Sequence, residues 1–366
     1  MLYILLLVSA YIFLLGFQLL NKMWIKTSTM AVVMAIGIVT QGVMLNYFGP
    51  NGIGIYGKIL SIINLALWMS FATSFFMTSV RKKFRQFHFS DIINRFGMGT
   101  WIAGTSICGI LIHRQFFGWA FVVEVLLYVN FVLWLVYLCV CMISIRDIYK
   151  YDLMEKVNGI ILLTTVSTQS LVLLMNTVYA ETPEFINISM IAIGVCFYFM
   201  AAFLVTKRHI RSRASFSVDE DWNNTNCILH GALSITGLAC LFSTNVNEQI
   251  ILCIWICAFT VFILVELVEI YRLIIRIRNH GIRMGILVYD VSQWSRIFTF
   301  GMFYTFSFIL DSQFVFQQVV QNIIVNSGLW FILVLTVMEI MLSLKFSFTT
   351  WKMNIVDKRK LNEYHS

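Results

Sequence analysis

The residues able to do chemistry in this chain are few, and they sit in unusual surroundings. His230 is the one histidine well inside an apolar run, next to Gly231. Glu124 and Glu339 also fall inside apolar runs, and Glu266 and Glu269 lie near the end of another. An ionisable side chain placed this way is a functional candidate by default, because its charge is costly unless paired or hydrated. His230 titrates near neutrality and could confer pH sensitivity, although a neutral imidazole hydrogen-bonded to a backbone carbonyl is the favoured reading. The carboxylates could relay protons. The simpler expectation is that they are protonated, pair with another helix or meet at a subunit interface.

Other motifs fall away when their context is read. Gly52-Ile53-Gly54-Ile55-Tyr56-Gly57 matches GxGxxG as a string, but it follows an apolar run and Pro50, not a strand of a βαβ unit. It reads as a flexible turn. All eight cysteines (Cys108, Cys139, Cys141, Cys196, Cys227, Cys240, Cys253 and Cys257) lie in apolar runs, which supports neither a disulfide framework nor a zinc cluster. Free thiols packing as small apolar groups fit better. The sequons Asn187-Ile188-Ser189 and Asn223-Asn224-Thr225 are short patterns with a high chance rate. With no Walker loop, HExxH or CxxC, no enzyme, metal or cofactor is expected.

The elements that hold these residues are membrane spans. Hydrophobic residues make up 59% of the 366, charged residues only 12%, and apolar runs reach the roughly 20 residues that a helix needs to cross the hydrocarbon core. Eleven spans are expected. The first lies near 2–20; others near 30–47, 97–113, 157–178, 226–243 and 294–311 each pair with a returning span near 58–79, 117–145, 187–206, 249–271 or 326–349. Alternate connectors and the C-terminal tail hold 23 of the 26 Lys and Arg residues. The positive-inside rule makes that side cytoplasmic, with the N-terminus outside and the C-terminus inside. The net charge of +8 therefore points to a lipid bilayer as partner and not to nucleic acid. The connector 80–96, with Phe84, Phe87 and Phe89 among Arg and Lys, reads as an interfacial stretch.

Outward-running spans start 60 to 69 residues apart, so the fold expected is an all-α membrane protein of five repeated hairpins plus one extra N-terminal helix. The boundaries are 1–26 for the extra helix, 27–350 for the ten-helix unit and 351–366 for a basic tail. Outward spans hold ten glycines and returning spans three, and Ser, Thr and Gln cluster in the outward set. Such residues fit poorly against lipid and well against another helix or a watery lumen. Five inner helices around a central pore is the simplest arrangement. Tight helix packing is the plainer explanation for any one of them. The expected lining is Gly37, Thr40, Gly99, Thr100, Thr105, Thr165, Thr168, His230, Ser234 and Thr236.

Several inner-span segments resemble the tellurite-resistance/dicarboxylate transporter family, which includes the plant guard-cell slow anion channels. They are Met34–Val39, Phe96–Thr105, Ile161–Ser170, Asn226–Ala232, and Trp294 with Phe298-Thr299-Phe300-Gly301. The resemblance implies ten helices in five hairpins, a homotrimer with one pore per subunit, and selectivity for small inorganic or organic anions. It also implies a phenylalanine plug on the fifth inner helix, which looks like Phe300, with Phe298 and Phe303 as register alternatives. The family often bends its inner helices with proline, whereas here neither Pro50 nor Pro183 lies in a span. Bends must come from Gly or Ser/Thr.

The function expected is a gated channel for small anions in the plasma membrane, closed by a ring that dewets a narrow lumen. Arg296, one turn before Phe300, is the candidate mouth charge, with headgroup binding as its plainer role. A proton-coupled exporter of dicarboxylates or metal oxyanions, relaying through Glu124 or Glu339, is the alternative. A non-transporting polytopic membrane protein is the third.

Overall fold

The structure is a computed structural model that describes residues 1–20, 25–179, 181–211 and 217–363, with side chains as far as Lys352. Among the expected basic connector residues, Lys22 and Arg213 lie outside the described residues, as do the side chains of Lys358, Arg359 and Lys360. The described residues are helical, without strands. In chain order the helices are α1 (Leu2–Leu20), α2 (Ala31–Ile38), α3 (Leu45–Val80), α4 (Gly99–Gln115), α5 (Ala120–Lys150) and α6 (Leu163–Val178). They continue as α7 (Glu184–Arg211), the short α8 (Val218–Asp221), α9 (Ile228–Ser243), α10 (Glu248–Gly285), α11 (Ser292–Ile309) and α12 (Val315–Glu363).

Nine helices among the described residues are long and apolar enough to cross a membrane. Two features separate that number from eleven. Thr27–Val80 runs as one apolar unit, broken by non-helical backbone at Gly49 and Gly54, both at positive φ. Its two arms fold back on each other: the Asn64 amide lies 3.2 Å from the place a Gly37 Cβ would take. The expected turn is therefore a glycine-broken helix, with Pro50 inside it. The second feature is α11, whose first turns carry Gln293 and Arg296 and so lower its apolarity.

Helices α2, α4, α6, α9 and α11 each pack on the next, and α11 closes on α2. This five-helix ring is almost wholly buried, whereas α5, α7, α10 and α12 expose most of their length and α1 buries no residue. Lipid-facing and protein-facing helices alternate along the chain, as the glycine bias predicts. Helix α1 lies against α3, where Tyr11 and Thr73 share a 3.0 Å hydrogen bond.

Glycine sits at every seam of the ring. An added Cβ would strike Ile107 from Gly37, Leu163 from Gly99, Thr225 from Gly159, Thr299 from Gly231 and Ile38 from Gly301. The packing explanation thus holds for these glycines: they bring backbones close. The seams between ring and outer helices use indoles. Trp68 of α3 donates to Thr105 of α4, Trp134 of α5 to Thr168 of α6, and Trp255 of α10 to Ser307 of α11, at 2.8 to 3.0 Å. In each case an outer helix grips the inner helix of the following hairpin.

Inner helices begin with a recurring turn. Asp91, Asn158, Asn223 and Asp290 each accept, through a side-chain oxygen, the backbone N–H two residues ahead. Such side chains satisfy orphan donors at a helix start, each worth about 1 kcal/mol. The repeat seen in span spacing is therefore also a repeat of starting chemistry.

Candidate functional site

Two cavities occupy opposite ends of the ring, and all five inner strands of chain contribute to each. The first, about 320 Å³, lies at the helix starts, flanked by the basic connectors. Its lining includes Ser28, Asn94, Asn158, Thr225 and Ser292, together with Asp91, Glu220 and Asp290, and Arg272 reaching in from α10. Neighbouring starts are tied there: Asn94 donates to Thr27 at 2.8 Å, Thr225 to Asn158 at 3.0 Å and Asn224 to Ser292 at 2.9 Å. The second cavity, about 330 Å³, lies at the far end. Ile38 and Gln41, Ile107 and Arg114, Asn176, Leu238, Met302 and Thr305 line it, with neighbours from the same helices.

On α11, Ser295 faces the first cavity, and Met302, Thr305 and Ile309 face the second. Those positions form one stripe at 3.6-residue spacing, and Phe298 falls within it, between the cavities. Phe298 is 1% exposed. Phe300 is about 200° further round the helix, at about 100° per residue. Its ring packs on Phe262 of α10 and Phe331 of α12, at 5.6 and 5.5 Å between centroids, outside the ring of inner helices. Phe303 stacks on Phe262 at 5.0 Å and also faces α10. Of the three phenylalanines, the structure brings only Phe298 onto the stripe shared by both cavities.

None of the hydroxyls expected in the lining is among the residues that line the two cavities. Thr105 and Thr168 accept the indoles of outer helices, and Thr165 donates to the Gly194 carbonyl of α7 at 2.9 Å. Thr40, Ser234 and Thr236 donate to carbonyls one turn back in their own helices. Thr100 donates to the carbonyl of Gly97, while Gly37 and Gly99 fill packing seams. These groups satisfy each other because in hydrocarbon an unpaired hydroxyl or indole N–H has no water to fall back on. Sequence spacing says which helix is inner. It does not say which side of that helix faces the axis.

His230 differs from its expected state. Both its ring nitrogens are buried without a hydrogen-bond partner, so no backbone carbonyl holds it. Its ring packs between Phe262, Phe300 and Phe303.

Arg296 is not at the ring's mouth. It pairs with Glu266 and, at 3.3 Å, with Glu269, and its guanidinium lies 5.5 Å from the Phe300 ring centre. Those groups and Glu339 line a third cavity of about 460 Å³ between α10, α11 and α12, outside the ring. Pairing of Glu266 and Glu269 with another helix is as expected. The arginine at the first cavity is Arg272, bonded to Asn224.

Segment 80–96 folds inward. His88 is fully buried, its Nδ1 3.0 Å from Thr27 Oγ1 and its Nε2 3.4 Å from Thr78 Oγ1. Thr78 Oγ1 already donates to the Phe75 carbonyl, so it accepts from Nε2–H, and Nδ1 accepts the proton of Thr27. Burial pushes the His88 imidazole down to about 4, which favours the neutral ring. The imidazole thereby holds Thr27 and Asn94, at the start of two ring helices, in one position. On the same end, the exposed Arg211–Asp152 pair, 2.8 Å, holds the Asp152 carboxyl below its ordinary range. Of the two sequons, Asn187 is buried against Asn176 and the Ser243 carbonyl, and Asn223 serves as a helix-start cap.

Gln41, Arg114 and the Asx residues escaped the sequence reading. The Asx signal was present, an Asp or Asn recurring ahead of four of the five inner spans. Arg114 is one of the few cations on the sparsely charged side.

Residues 25–344 match the family described as SLAC1, voltage-dependent anion channel. No curated protein matches the chain.

Proposed function

Because the chain belongs to the SLAC1 voltage-dependent anion channel family, whose members are membrane transporters and not enzymes, we propose that it passes small anions through its five-helix ring, closed by Phe298. The observation that carries this reading is the pair of cavities, one lined by the segments that lead into the five inner helices and the other by the helices themselves, with Phe298 on the α11 stripe that joins the two. A narrow layer between them, with Phe298, Ile38, Ile107 and Met302 on or beside it, blocks ions by excluding water. Helix starts at the first cavity point their amide dipoles at an entering anion. The Asx caps take up part of that positive field, and so the first cavity is polar without being strongly cationic.

The wider assignment follows the same reading. Residues 27–350 form the conducting unit, 1–26 an added helix and 351–366 a basic tail. The basic connectors support a cytoplasmic C-terminus and an N-terminus outside the plasma membrane. The family resemblance supports a homotrimer with one lumen per subunit.

Proton-coupled export of dicarboxylates or metal oxyanions needs a carboxylate on the path. Glu266 and Glu339 line the cavity outside the ring, and Glu124 belongs to the outer helix α5. This favours the channel. The test is conductance in planar bilayers without a pH gradient. Phe298→Ala is expected to raise anion conductance about tenfold or more, and Phe300→Ala to leave it within about twofold, because only the first removes the dewetting ring. Transport that requires a proton gradient, or a rise with Phe300→Ala and none with Phe298→Ala, would count against the proposal.

A further inference from the structure

We propose that Arg114 and Gln41 form an anion-capture site in the cavity at the far end of the ring, tuned to planar oxyanions; it rests on the channel reading above. The charge inventory of the two cavities is the starting point. The one flanked by basic connectors is lined by Asp91, Glu220 and Asp290 against a single arginine, Arg272. The far cavity has no Asp or Glu in its lining and contains Arg114. Among the described residues Arg114 has neither an ion pair nor a hydrogen bond. The unopposed guanidinium therefore lies at the end where connector charge is sparse.

A second observation comes from α2. It passes into a π-helical turn at Val39–Met44, a local widening often found at functional sites. Gln41 sits in that turn and lines the far cavity, only 4% exposed; among the described residues its Oε1 is buried without a hydrogen-bond partner and its Nε2–H2 group, the end that can bind an anion, is not committed to any hydrogen bond. A buried amide without partners is costly unless a ligand or water completes it.

Other polar groups in the cavity have spent their donors. Asn176 donates to the Val172 carbonyl and to Asn187, Thr177 to the Leu173 carbonyl, and Thr305 to the Gly301 carbonyl. They offer lone pairs, which an anion does not want. His113 is the remaining side chain with a nitrogen there. Free N–H groups in this cavity thus lie on Arg114, Gln41 and His113. The guanidinium fork matches two oxygens of one planar anion, such as a carboxylate or nitrate, whereas a halide takes single contacts. Leu173, Leu238 and Met302 supply an apolar wall to the same cavity, while Arg114 itself is exposed.

The experiment has two arms on the full chain in lipid nanodiscs and planar bilayers. Calorimetric titration with sodium nitrate, sodium formate and sodium chloride measures binding. Arg114→Gln is expected to weaken nitrate and formate about tenfold, the scale of one lost charge-assisted contact. Gln41→Leu weakens both about threefold, and Arg114→Lys weakens nitrate and formate about fivefold while chloride moves less than about twofold. In bilayers, half-saturating nitrate applied from the far end shifts by the same factors. Nitrate binding and half-saturation unchanged by Arg114→Gln and Gln41→Leu would overturn the site while leaving conduction intact. Binding that responds as expected in a protein passing no current supports the site and sinks the channel reading. Should Arg114→Gln fail to fold, the nitrate-to-chloride ratio in Arg114→Lys decides: an unchanged ratio overturns the site.

Discussion

Trp68 Nε1, on the outer helix of one hairpin, donates a 2.8 Å hydrogen bond to Thr105 Oγ1 on the inner helix of the next. The indole would otherwise face hydrocarbon unpaired. Thr105→Val should destabilise the protein in detergent by about 1 kcal/mol, within the range of interhelical hydrogen bonds in membranes. Combined with Trp68→Phe, the losses should fall short of additivity by about 0.5 kcal/mol or more. Strict additivity in a thermal unfolding cycle would show that the bond contributes nothing.

Gly159 is where α6 and α9 approach most closely at their starts. A Cβ there would clash with the Thr225 carbonyl oxygen, a backbone atom that cannot swing away. Gly159→Ala should cost about 3 kcal/mol or prevent assembly, as overpacking against rigid backbone does. Gly118 meets nothing within 4 Å, and Gly118→Ala should change the melting temperature little. Equal melting temperatures for the two variants would contradict this account of the seam.

The buried His88 makes stability pH-dependent. Its folded value of about 4 lies below the ordinary 6.5, so between those values the unfolded chain takes up a proton that the folded chain refuses. The contribution is complete above pH 6.5 and is lost as pH falls towards 4. Melting temperature should therefore drop across this window, and His88→Asn should flatten the drop by removing the titrating group. A slope identical in wild type and variant would rule His88 out as its source.

Arg296 pairs with Glu266 and Glu269 outside the ring, and Glu269 also pairs with Arg272 at 3.7 Å. Arg296→Met leaves Glu266 without a cation in a low-dielectric site, and should cost about 3 kcal/mol or more. Adding Glu266→Gln and Glu269→Gln should recover most of that loss. Because the cluster is off the ring, anion selectivity of the triple variant should match wild type in reversal-potential measurements. A changed selectivity would place Arg296 on the ion path after all.

Amino-acid order alone determined that this chain spans a membrane, that it repeats about every 65 residues, and which helices are inner. Each of those depends on local composition: an apolar run must be long enough to cross, and glycine disfavours lipid. The order of the inner segments also pointed to the right family. Only the tertiary structure decided which face of each inner helix looks inward. Thr105, Thr165 and Thr168 turned towards outer helices because unpaired donors in hydrocarbon are more costly than a dry lumen wall. Phe300 likewise went to the aromatic contacts of α10 and α12, leaving Phe298 on the stripe between the cavities. Helix rotation is set by partners many residues away, and a one-residue step turns a side chain by about 100°. Spacing within a single span cannot carry that information, whereas packing between spans can.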